Sequence, residues 1–156
     1  MPPLSPTRSR RPVRAAVQVD AGPRPHAVTG GPDLREYALR CRPALARLHL
    51  LSCLQSSAPL PSGPVADGRA AVELIKTELD AALSALKTAG AAGTGAGGRR
   101  LLVARVTRLR LAADAMERVL GRAEEAGDLP GLRDLLVRFD ILLSALGTVQ
   151  HAVSDP

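Results

Sequence analysis

Residues 132–153 read LRDLLVRFDILLSALGTVQHAV, and their spacing decides the fold class. Leu132, Leu135, Phe139, Leu142, Leu146, Val149 and Val153 recur at intervals of three and four, the repeat of one helix face. Leu136 and Leu143 widen that face into a stripe broad enough for a globular core. Asp128 is placed to cap the helix, with Pro130 in the first turn, where its missing N–H costs nothing.

The same period recurs upstream. A third helix over about 99–126 carries Leu102, Val106, Leu109, Ala113, Met116, Leu120 and Ala123 on one side, and Gly127 is placed to end it. The glycine-rich stretch 90–98 separates it from a second helix over about 67–89, capped by Asp67. That helix has a stripe of Val72, Ile75, Leu79, Ala82, Leu86 and Ala89, widened by Leu83. Residues 57–66, with Pro59, Pro61, Gly63 and Pro64, read as a loop. A first helix begins at Asp33 and runs through Leu34, Tyr37, Cys41, Ala44, Leu48 and Leu51. Pro43 interrupts it and is expected to kink it or split it into two pieces.

Only a few residues join the third and fourth helices, which makes them antiparallel neighbours. The expected fold is all-α, an up-and-down four-helix bundle over residues 33–153 with the first helix kinked or split at Pro43. A three-helix core with a loosely attached first helix is the alternative. Residues 1–32 hold seven prolines and no apolar period, and are expected to form a disordered basic tail.

Composition narrows the function classes. Leu, Ala and Val supply most of the apolar content, and Tyr37 and Phe139 are the only aromatics. No apolar run reaches the ~20 residues of a membrane span. The N-terminus lacks the apolar segment of a secretory signal, and its arginines and serines match a transit peptide only weakly. Cys41 and Cys53 on one straight helix lie roughly 18 Å apart, beyond the reach of a disulfide. A reduced, cytoplasmic chain is the simplest reading.

No constellation of catalytic groups emerges. Gly93, Gly95 and Gly98 match a dinucleotide-binding spacing, but a helix precedes them where that motif needs a strand. A flexible linker explains them, and no cofactor is expected. His26, His49 and His151 are far apart, with no Cys-x-x-Cys and no Glu-x-x-His pair, so no metal site is expected. His49 falls beside the core stripe and reads as a surface histidine.

Two interaction surfaces remain. Leu39, Ala46, Leu50 and Cys53 line a face of the first helix turned away from the core stripe, and Leu39, Leu50 and Cys53 are candidate contacts for another protein or a second copy. The chain is therefore read as a non-enzymatic bundle acting by protein–protein interaction or self-association. The alternative is nucleic-acid association through Arg8, Arg10, Arg11 and Arg14 of the tail and Arg99, Arg100, Arg105, Arg108 and Arg110 of the third helix. The tail supports that alternative most directly, since residues 1–32 carry +4 of the net charge of +6.

Overall fold

The computed structural model describes residues 31–54, 62–89, 95–126, 129 and 131–154. Four helices result: α1 (Leu34–Cys53), α2 (Ser62–Thr88), α3 (Ala96–Ala126) and α4 (Leu132–Ser154). Each helix packs on its neighbours in sequence, and α1 closes the ring by packing on α4. The Arg40–Glu78 ion pair together with the approach of Leu51 to Gly68 makes α1/α2 antiparallel, and the pairs Arg110–Asp80 and Lys76–Glu117 do the same for α2/α3. The architecture is an up-and-down four-helix bundle. The expected tail lies outside the described residues, apart from its last two positions.

Asp33 caps α1 as its sequence suggests, its carboxylate accepting from the Arg35 N–H at 2.9 Å. Pro43 does not split the helix, which runs unbroken from Leu34 to Cys53. The reason is placement. Pro43 and Leu39, whose carbonyl loses its i+4 donor, both face outward, where water replaces the missing bond. Leu34, Cys41, Ala44, Leu45, Leu48 and Leu51 are buried along the opposite side, so α1 belongs to the core and the three-helix alternative falls.

Helix starts differ from the sequence reading. The expected loop at 57–66 already contains α2 from Ser62, because Gly63 and Pro64 sit in the first turn, where backbone N–H groups have no helical partner anyway. Val65 and Gly68 then add to the core. A Cβ at Gly68 would fall 2.6 Å from Leu51 Cδ2, so a larger residue here would oblige the Leu51 side chain to turn away. Helix α3 starts at Ala96, absorbing three residues of the expected linker. Helix α4 starts after Gly131, whose φ of +79° suits glycine; Asp128 and Pro130 lie outside the described residues.

The core of α3 comprises the seven residues read from its spacing, Leu102 to Ala123, all buried. In α4 the buried line is Leu132, Leu136, Phe139, Leu143 and Leu146, while Leu135, Leu142 and Val149 are half-buried flanks. The stripe is thus rotated from the sequence reading, with Leu136 and Leu143 at its centre.

That corrected line continues, at the same interval of four, to Gln150. Its Oε1 accepts from the Leu34 N–H at 2.8 Å and its Nε2 donates to the Pro32 carbonyl at 2.8 Å. One side-chain amide at the end of a core stripe ties the start of α1 to α4. Replacing Gln150 with Ala is expected to cost about 1–2 kcal/mol of stability, the usual effect of leaving part-buried backbone groups without a partner. Urea unfolding measures it, and an unchanged midpoint would show that water serves these groups equally well.

Candidate interaction face

Because one side of α1 is committed to the core, residues half a turn away must face out. Leu39, Pro43, Ala46 and Leu50 follow one another at intervals of four, three and four, and all are exposed. Leu39 is 63% exposed and Leu50 69%. Leu54 continues the row just past the helix end, its N–H donating to the Leu51 carbonyl. This is a row of apolar residues along the outer side of α1.

Helix α4 extends it. Val137 and Ile141, one turn apart, are exposed, Ile141 at 64%. The sequence reading missed both, because centring the α4 stripe on Leu135 and Leu142 hid which residues stand opposite the core. The antiparallel α1/α4 seam brings Val137 beside α1, where it lines one shallow groove with His49, Ser52, Cys53 and Arg133. A second groove of about 250 Å³, further along the same seam, is lined by Arg35, Ala38, Leu39, Arg42, Ser144 and Gly147 among others. Across α1, a third of about 420 Å³ runs between Arg47, Leu50, Leu54, Pro64 and Asp67.

Leu39, Leu50 and Cys53 therefore share the outer side of α1, with Cys53 turned toward α4. The His49 ring is half-buried and makes no hydrogen bond among the described residues. No group of three or more His, Cys, Asp or Glu among the described residues is arranged to hold a metal ion.

The arginines of α3 do not form one surface. Arg99 donates to the Ala89 carbonyl at 3.2 Å, satisfying a backbone acceptor at the end of α2. Arg110 is held between Asp80 of α2 and Asp114 one turn on. Arg105 is half-buried and, five residues from Arg110, stands about 140° around the helix. Arg100 and Arg108 are exposed. Lys76 joins the same α2/α3 seam, hydrogen-bonded to Glu73 and Glu117; those bonds raise its pKa, and Lys76 holds the Glu73 carboxyl below its ordinary value. Arg8, Arg10, Arg11 and Arg14 lie outside the described residues.

The chain matches no protein-family model, no curated protein and no solved structure. No helix among the described residues is long and apolar enough to cross a membrane.

The two cysteines are free, Cys41 buried and Cys53 exposed. Burial, with the charge of Glu78 added, pushes the Cys41 thiol up to about 11. At pH 8 only about one Cys41 in a thousand is then the reactive thiolate. Maleimide is expected to modify one thiol per chain in the native protein and two in urea, with the native reaction lost in Cys53→Ser. Rapid modification of both in the native state would place Cys41 outside the core.

Proposed function

We propose that this chain is a non-enzymatic, cytoplasmic helical-bundle protein that works by binding another protein through the outer face of α1 and the adjoining face of α4. The observation carrying this reading is the apolar row of Leu39, Ala46, Leu50 and Leu54, continued by Val137 and Ile141, left in water on a bundle whose core is already filled. Leu74, Leu101 and Leu111 are exposed elsewhere, but five of the eight large apolar residues exposed among the described residues lie on α1, its cap and α4, and such surface gains free energy when a partner covers it. Two unpaired cysteines fit a reducing compartment.

Nucleic-acid association is the competing reading. Arg99 and Arg110 count against it, since both are engaged within the bundle.

The test is Leu39→Glu/Leu50→Glu in the full chain. Both sites are exposed, so stability is expected to stay within about 0.5–1 kcal/mol of the parent. The immobilised parent is expected to retain a protein from an extract of its source cells that the variant does not, at low and high salt alike. Unfolding of the variant would show these leucines to be core. Retention of material absorbing at 260 nm and shed by salt would favour nucleic acid.

A further inference from the structure

Resting on that reading, we infer that the partner of the α1/α4 face is an acidic amphipathic helix, its apolar residues seated on Leu39 and Val137, with Leu50 at the edge of the face, and its carboxylates meeting the arginines beside them. Arg35, Arg42 and Arg133 line the seam grooves. All three are exposed, and none makes an ion pair among the described residues. By contrast, the cations of the α2/α3 seam are fully engaged: Lys76 and Arg110 face four carboxylates, Glu73, Asp80, Asp114 and Glu117. Asp140, seven residues before Gly147 and so on the same side of α4, and the exposed Asp134, one turn before Val137, offset part of this charge. Cations left unpaired around exposed leucines are what an acidic helix complements.

The same charges disfavour the occupants nearest to hand. Residues 1–30 carry five arginines against one aspartate, so folding them back would bring like charge to the groove. A two-fold contact between α1 helices, with Leu39 on Leu50 of a second copy and Pro43 on Ala46, would set Arg47 on the flank that carries Arg40 of the other copy. A helix fits the site because exposed residues on α1 follow helical spacing and the grooves run lengthwise between parallel ridges of α1 and α4.

A matched pair of fluorescent helical peptides decides the matter, one with leucines at every third or fourth position flanked by Glu, the other with Lys in place of each Glu. By fluorescence anisotropy, the Glu peptide is expected to bind the full chain about tenfold or more tightly than the Lys peptide, the scale of a few rim charge pairs. Arg42→Glu/Arg133→Glu is expected to abolish that preference without lowering the melting temperature, and Leu39→Glu/Leu50→Glu to abolish binding of both peptides. Equal binding of the two, binding of neither, a salt-stable dimer in light scattering that occupies this face, or preferential binding to phosphatidylserine vesicles would overturn the inference. Protein capture lost in Leu39→Glu/Leu50→Glu but kept in Arg42→Glu/Arg133→Glu would overturn it while leaving the protein-binding role intact.

Discussion

Everything in this bundle depends on the seam that joins α1 to α4. Connections along the chain bring α1 to α2, α2 to α3 and α3 to α4, but only side chains can close the ring. Leu34, Cys41, Ala44, Leu45, Leu48 and Leu51 bury the inner side of α1 in the common core, and the Gln150 amide fixes the helix start on α4 by engaging both Pro32 and Leu34. With its inner side committed, α1 turns Leu39, Ala46 and Leu50 to solvent. One unbroken helix whose buried residues follow a single line leaves the opposite line outside the core. The candidate interaction face is thus a direct consequence of how the ring closes.

Pro43 illustrates how context sets the effect of a single residue. Within a helix, proline removes one backbone bond and crowds the preceding turn. Here the carbonyl it deprives belongs to Leu39 on the wet side, and the buried side of α1 remains continuous. The core it faces is built mainly from leucine and alanine, with Phe139 as its one large aromatic. Small residues at Ala44, Gly68, Ala71, Ala82 and Ala113 let the helices approach closely.

Much of this was legible in the sequence because helical periodicity is a strong signal over long segments. The α3 stripe was read without error, and the number and order of helices followed from the breaks between stripes. Boundaries were less legible: Pro64 and Gly97 look like loop residues, yet the first turn of a helix accepts them because its N–H groups need no helical acceptor. The α4 stripe was centred wrongly since Leu135-Leu136 and Leu142-Leu143 each offer two equivalent leucines, and periodicity alone does not choose between them. That choice also concealed Gln150, a polar residue on a core line, and the outward pair Val137 and Ile141. On the candidate face, Leu39, Leu50 and Cys53 were readable from α1 alone, but Arg35 and Arg133 become neighbours of one seam only through the antiparallel pairing of two helices distant in sequence.

The central claim is that α1 is a full member of the core, held in place by its seam with α4. Native-state hydrogen exchange, followed residue by residue with increasing denaturant, tests it most directly. The account predicts that amides from Ala44 to Leu51 exchange only through the same global unfolding as those of Val106 to Met116. Exchange of α1 amides through a separate, low-energy opening, while α2, α3 and α4 stay protected, would show a three-helix core with a detachable first helix and would contradict it.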